Sequence, residues 1–322
     1  MQKEFVASLI VAFAALFSGA AHSQAYPVKP ITLVVPYAAG GTAEVMGRVF
    51  AQHLGDVLGQ TVIIDIKAGA GSMIGSEYVA KLAKPDGYTI LLGANPLAIN
   101  VAVKKLAFDP QKDLVPVGGV AGFSSVLVTS ATSPYQSVAD LIKAGKTENL
   151  TFGSSGPGSV SHMAGELFKS LANVNMTHVP YKGSGPVYPD MIAGRVSVLF
   201  DVSASAIGFI NGGKVRALAV TSTTRSRALP NVPSLAEAGV AGYEALTWFG
   251  VFAPAGTPPA IVARLDQALR DVSQNPAFVA RLDQWGGAPL AMASADEFTR
   301  YFKADVLRWE GLVRDGKMKR LD

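Results

Sequence analysis

An α/β protein built on two sheets is what this sequence predicts. Three observations carry that expectation: short β-branched runs that each lead through a glycine turn into a helical stripe, a second series of the same kind further along, and a carboxy-terminal stretch that is helical throughout. The length of 322 residues fits roughly two domains of about 150 residues.

The first unit begins with Ile31-Thr32-Leu33-Val34-Val35, punctuated by Pro36 and Gly40-Gly41, after which Met46, Phe50, Leu54 and Val57 recur at helical spacing. Val62-Ile63-Ile64 then leads through Gly69 to Ser72 into a helix through Tyr78 and Leu82, and Pro85-Asp86-Gly87 turns the chain into a strand from Tyr88 to Leu92. A second series places strands near Val126 to Val128, Leu150 to Phe152, His178-Val179, Val196 to Phe200 and Val215 to Val220, with helical stretches starting near Ser137, Ser161 and Pro186. Thr257 with Pro258 at the first helical position opens a stripe of Ile261, Leu265 and Leu269, and Ser294-x-x-Glu297 reads as a capping box before Phe298, Phe302 and Trp309. This last stretch is expected to cover the first lobe. No internal repeat of fixed period is present.

Composition narrows the function. Apolar residues make up 49% and charged residues 16%, against about 25% in an average soluble chain. The 28 Lys and Arg against 24 Asp and Glu give +4 without any run of five like charges, so nucleic acid is not an expected partner. Zero cysteines exclude a disulfide framework, thiolate zinc, an iron-sulfur cluster and a thiol nucleophile.

After Met1-Gln2-Lys3-Glu4 comes an apolar run of 13 residues from Phe5 to Phe17, then small residues ending in Ser23-Gln24-Ala25. Ser at minus three and Ala at minus one make 1–25 a signal peptide, with the periplasm as the destination. The run is shorter than the roughly 18 to 20 residues a membrane span needs. An exported chain has no supply of ATP or NAD(P), so no cofactor is expected.

Two loops hold the candidate chemistry. Pro36-Tyr37-Ala38-Ala39-Gly40-Gly41-Thr42-Ala43-Glu44 and Gly153-Ser154-Ser155-Gly156-Pro157-Gly158-Ser159 each join a strand's carboxyl end to a helix amino terminus. Unpaired N–H groups and the helix dipole suit such termini to an anion, and the hydroxyls of Thr42, Ser154, Ser155 and Ser159 add donors without charge. The alternative is that Gly and Ser cap ordinary βα turns. Hydrogen bonds to a charged group contribute about 1.5 to 3 kcal/mol each, so four to six of them reach the roughly 8.2 kcal/mol of micromolar binding if association costs stay low.

Other constellations are weaker. Gly69-Ala70-Gly71-Ser72-Met73-Ile74-Gly75 has one residue too many for a dinucleotide fingerprint and lacks the acid about 20 residues on. No Gly-x-Ser-x-Gly elbow is present, and His53, His162 and His178 show no metal-ligand spacing with an acid. His162 is either a cap or a cleft residue. Asp201 ends the run Ser197-Val198-Leu199-Phe200, where it either caps the next helix or walls the cleft, and Asn95, beyond the Tyr88 to Leu92 strand, has the same two readings. Lys182 in Tyr181-Lys182-Gly183 is a solvated cation or the one charge near the cleft.

In order along the chain stand Tyr26-Pro27, the Pro36 to Gly41 loop, Ala68-Gly69-Ala70-Gly71 to Gly75, Pro85-Asp86-Gly87-Tyr88, Ser154-Ser155-Gly156, Ala164-Gly165-Glu166-Leu167-Phe168, His178-Val179-Pro180-Tyr181-Lys182-Gly183, Val215-Arg216-Ala217-Leu218-Ala219-Val220 and Trp248-Phe249-Gly250. With these motifs the chain resembles the Bug-type substrate-binding proteins of tripartite tricarboxylate transporters over essentially its whole mature length. The resemblance implies a two-lobed periplasmic-binding fold of type II, each lobe a mostly parallel sheet flanked by helices. It places lobe 1 at 26–124 plus 248–322 and lobe 2 at 125–247, with crossings near Gly119 to Ser125 and Tyr243 to Phe252. It implies binding without reaction, as a monomer, of a small organic carboxylate that is handed to the transporter's membrane subunits.

Carried onto matching positions, the resemblance names Tyr37, Ala39, Gly41, Thr42 and Ala43 on one side and Ser154, Ser155, Gly156 and Ser159 on the other, with Asp201 at the rim. Asn95 joins them from its strand-end position, and neither a catalytic nor a metal-binding residue is expected. Glu44 stands where the family usually has Asp, and Pro157 where Asn is common, which removes one N–H donor. The enzyme alternative is a secreted hydrolase of carboxylic esters using Ser155 or Ser159 with His162.

Overall fold

A computed structural model describes residues 26–316 and 318–321, so the predicted signal segment at 1–25 lies outside the described residues. The first lobe is built from β1 (Ile31–Val35), α1 (Thr42–Leu58), β2 (Val62–Ile66), α2 (Met73–Glu77), β3 (Thr89–Ala94) and α3 (Pro96–Val103). A short α4 (Pro110–Asp113) leads into β4 (Leu114–Ser130), a strand of 17 residues. The second lobe then follows as α5 (Val138–Gly145), β5 (Leu150–Ser154), α6 (Val160–Ala172), β6 (Met176–Pro180), α7 (Val187–Ile192), β7 (Val198–Val202), α8 (Ser203–Asn211) and β8 (Val215–Val220). The chain returns along β9 (Leu246–Pro254) and ends in α9 (Pro259–Gln274), α10 (Pro276–Gln284), β10 (Gly287–Pro289) and α11 (Ala295–Arg314).

Strand order along the hydrogen-bonded path is β2-β1-β3-β9-β4-β7-β5-β6. Within each lobe three strands run parallel, β2-β1-β3 in the first and β7-β5-β6 in the second. The strands that join the lobes run antiparallel to them: β9 against β3 and β4, and β4 against β7 and β8. The class is therefore the expected α/β two-lobed one, with a mixed sheet because the crossing strands must reverse direction to leave and re-enter a lobe.

β4 changes partners at one point. Up to Ser124 it pairs with β9, and from Ser125 it pairs with β7. The sequence shows only its Val126 to Val128 portion as a strand, because Gly118, Gly119 and Gly122 interrupt the apolar pattern earlier.

Both faces of the inner parallel strands β1, β5 and β7 are covered, which explains their apolar runs, whereas the edge strands β2 and β6 are partly exposed. Ile31, Leu33 and Val35 enter one core cluster and Val34 another, while Leu127 and Val126 divide the same way between the two clusters of the second lobe. α11 seals the first lobe with Phe298, Phe302, Val306 and Trp309, as expected. Its cap differs in detail: Glu297 N–H donates to Ser294 Oγ at 3.2 Å, but the Glu297 carboxylate takes the N–H of Ala293 rather than that of Ser294. α9 begins one residue later than predicted, with Pro259 in its first turn.

Candidate functional site

The first loop closes β1 and opens α1. Gly41 precedes the helix in extended conformation, and the N–H groups of Thr42 and Ala43, first in the helix, lie upstream of any i−4 carbonyl. Gly40 has φ +83°, and its N–H donates to Glu44 Oε2 at 2.6 Å. Arg48 Nε donates to Glu44 Oε1 at 2.7 Å. These partners, the Gly40 amide first, hold the Glu44 carboxyl below the usual range. Ala39 is exposed, Gly41 and Thr42 are half-buried, and Ala43 is buried. Tyr37 turns inward, its ring edge-on to Phe249 at 6.3 Å, with a buried hydroxyl that has no hydrogen-bond partner beside the equally unpartnered Ser72 hydroxyl.

The second loop is more self-contained. Ser155 N–H donates to Ser161 Oγ at 2.9 Å, Gly156 N–H to Ser154 Oγ at 3.1 Å, Gly158 N–H to His162 Nδ1 at 3.1 Å and Ser159 N–H to Gly156 O at 3.2 Å. Pro157 has no N–H. What this loop presents is therefore hydroxyls: Ser155 and Ser159 both lie within hydrogen-bond distance of Ser161 Oγ, at 3.0 and 3.1 Å. Ser159 also caps α6, accepting from His162 N–H at 3.3 Å and donating to Gly156 O at 2.6 Å. Ser154 is fully buried, with its Oγ 2.5 Å from His178 Nε2.

Contacts between the lobes bring both loops to the boundary between them. Thr42 Oγ1 and Ser205 Oγ, in α8, are 2.8 Å apart. Lys104, just beyond α3, donates from Nζ to Pro157 O at 3.3 Å. A Cβ added to Gly158 would stand 2.5 Å from Asn100 Oδ1, and one added to Gly71 would stand 3.2 Å from Pro157 O. The 70–72 turn thus links the loops, with Ser72 beside Tyr37 and Gly71 against Pro157.

Asp201 and Asn95 are each engaged by protein partners. Asp201 sits in β7 opposite Val126, 4% exposed. Tyr188 Oη donates to its Oδ2 at 2.8 Å and Val202 N–H to its Oδ1 at 2.9 Å. Burial pushes its carboxyl up to about 6, against the pull of those donors. It does not cap α8, whose first residues follow Val202 without a side-chain cap. Asn95 ties α3 to β9: Nδ2 donates to Leu246 O at 2.9 Å, and Trp248 N–H donates to Oδ1 at 2.7 Å. Asn95→Ala leaves two main-chain groups unpaired, and an equilibrium melt is expected to lose about 1–3 kcal/mol for each; a change under about 0.5 kcal/mol contradicts this role.

Sequence reasoning missed Asn100, Lys104, Gly158 and Ser205. Lys104 is a cation that reaches across to the second loop, whereas Lys182 is exposed. The i,i+4 spacing of Asn100 and Lys104 on the helix after β3 was the available signal, but nothing in the sequence says which lobe that helix faces.

The arrangement suits binding more than bond cleavage. Ser155 and Ser159 bond to Ser161, His162 Nδ1 is occupied by Gly158, and Ser154, which pairs with His178, is buried. Among the described residues no group of three or more His, Cys, Asp or Glu is placed to hold a metal ion. Among them also, no helix is long and apolar enough to cross a membrane.

Comparison with known proteins agrees with this geometry. The family model described as "Tripartite tricarboxylate transporter family receptor" matches residues 46–318. Protein BugT of Bordetella pertussis is 36% identical over 295 residues, covering 90% of both chains. The Rhodopseudomonas palustris protein Rpa4515, solved with adipate, has a TM-score of 0.86 at 34% identity, over 92% of this chain and 100% of its own. MatC of the same organism, solved with bound malate, has a TM-score of 0.82 at 30% identity, over 89% of this chain and 100% of its own. By sequence and fold, the chain belongs to the tripartite tricarboxylate transporter receptor family.

Proposed function

We propose that this chain is a periplasmic receptor that closes on a small carboxylate and delivers it, without chemical change, to membrane subunits of a tripartite tricarboxylate transporter. The observation that carries the reading is the α1 amino terminus, whose Thr42 and Ala43 amides have no intrahelical acceptor and whose Thr42 hydroxyl meets Ser205 of the other lobe. The hydroxyls of Ser155 and Ser159 complete the grip from the other lobe. That relatives of the same fold bind adipate and malate supports a carboxylate as the anion.

The moving bodies are 26–124 with 248–322, and 125–247. The hinge lies where β4 exchanges β9 for β7 and where β9 leaves the second lobe. Export by the 1–25 segment and action as a monomer complete the proposal. A thermal-shift screen against malate, adipate, amino acids, esters and sugars tests it. A diacid at about 100 times its dissociation constant adds about 2.7 kcal/mol of stability and is recovered unchanged. Shifts by esters or sugars alone contradict the reading, and so does turnover of a carboxylic ester abolished by Ser155→Ala or Ser159→Ala.

A further inference from the structure

We propose that His162 and His178 are positioning residues for the second loop, two stacked neutral imidazoles of opposite tautomer that set residues 153–159 by each accepting one hydrogen bond from it. Their ring centroids are 3.8 Å apart with planes at 16°, and Phe152 stacks against both, at 6.2 and 5.1 Å. That this loop binds ligand rests on the reading above; the clamp itself does not.

Donor bookkeeping fixes the tautomers. Gly158 N–H donates to His162 Nδ1, so the ring proton of His162 is on Nε2, which lies 4.0 Å from Glu166 Oε1. Ser154 Oγ accepts from Gly156 N–H and, with no other acceptor for its own proton among the described residues, donates it to His178 Nε2 at 2.5 Å, which puts the ring proton of His178 on Nδ1. One imidazole thereby holds Gly158 directly, and the other holds Gly156 through Ser154. Both glycines sit at positive φ, +124° at Gly156 and +77° at Gly158, which glycine enters as freely as negative φ, so the two bonds act by selecting one conformation of an otherwise permissive segment. The hydroxyls of Ser155, Ser159 and Ser161 take their direction from this backbone.

The surroundings resist protonation. Lys104 from the first lobe and Lys169 on α6 face the pair, as does each ring the other, with Glu166 the one opposing charge. Burial first, then His178, Lys104 and Lys169, lowers His162 to about 3, and burial with Lys169 lowers His178 to about 4. Unfolded, both would titrate near 6.5. Between about pH 6.5 and 4 the unfolded chain therefore binds more protons, and the clamp loses stability as pH falls through that window. Asp201, raised to about 6, has the opposite sign there, so a whole-protein melt mixes the two and a site-resolved reading is required.

Amide hydrogen exchange of the full chain, with imidazole nitrogen shifts by NMR, supplies that reading without a ligand. At pH 6 the shifts are expected to report two neutral rings, Nε2–H for His162 and Nδ1–H for His178. His162→Leu is expected to speed Gly158 exchange, and His178→Leu that of Gly156, by about tenfold or more. His162→Asn and His178→Gln keep an acceptor near the lost nitrogen and should stay within about threefold of the parent. The amides of β1 report whether a variant has lost its fold. The same tautomer in both rings, a charged ring at pH 6, Leu variants without effect, or Asn and Gln variants as fast as the Leu ones overturns the proposal.

Discussion

Trp248→Ala is expected to destabilise the first lobe by about 3–5 kcal/mol, among the largest effects of any single change in the chain. Trp248 is 1% exposed in β9, at the point where the chain re-enters the lobe. Phe252, Phe298, Tyr301 and Phe302 surround it at centroid distances of 6.2, 5.8, 6.2 and 6.1 Å. α11 supplies three of these rings, so the residue fastens the carboxy-terminal helix to a crossing strand. Its Nε1–H donates to Asp305 Oδ2 at 2.8 Å, and burial already raises the Asp305 carboxyl, so truncation also takes a donor from a buried acid. Trp248→Phe keeps most of the ring and loses this donor, at about 1–3 kcal/mol. Urea unfolding with an unchanged slope is the measurement. A loss below about 1 kcal/mol for the alanine variant would show that α11 does not depend on this contact.

Gly158→Ala is expected to weaken ligand binding by roughly thirtyfold or more, which corresponds to about 2 kcal/mol. The first cost is backbone and falls on folding rather than on binding: φ is +77°, where an L residue is disfavoured by about 1–2 kcal/mol. The second is specific to closure. The new Cβ would meet Asn100 Oδ1 at 2.5 Å, and Asn100 is fully buried, with its Nδ2 donating to Pro96 O at 2.8 Å. The second lobe must then stand off from α3, and the cleft does not shut. Gly213→Ala is the control, since φ is +64° but no atom lies within 4 Å of the added Cβ. It should lower the melting temperature and leave affinity alone. Calorimetric titration with the acid that gives the largest thermal shift decides; equal affinities for the two variants would mean that the Gly158 contact plays no part in closure.

Much of this molecule is legible in its sequence, for reasons that differ by element. The strands Ile31–Val35 and Leu150–Ser154 announce themselves as apolar runs ended by Pro36 and by Gly153, because both faces are buried and the chain must turn at their ends. Both loops could be placed from those same signals. β4 was not legible at its full length, since its glycines allow close approach of neighbours, with an added Cβ on Gly119 only 2.3 Å from Leu290 O, and so do not read as strand. The partners of the second-loop amides were also hidden: the spacing of His162 and His178 says nothing of two rings stacked behind that loop. Asn95 shows the same limit, because a residue at a strand end faces either a ligand or a neighbouring strand, and here Leu246 and Trp248 take its amide.

The central claim is that a carboxylate is held by main-chain amides of one lobe and hydroxyls of the other. A crystal structure of the chain with malate or adipate tests it most directly. The account predicts carboxylate oxygens about 2.7–2.9 Å from the N–H groups at Gly41 to Ala43, with Ser155 donating from across the cleft. A carboxylate seated on Lys104 or outside the cleft, with those amides facing solvent, would contradict it.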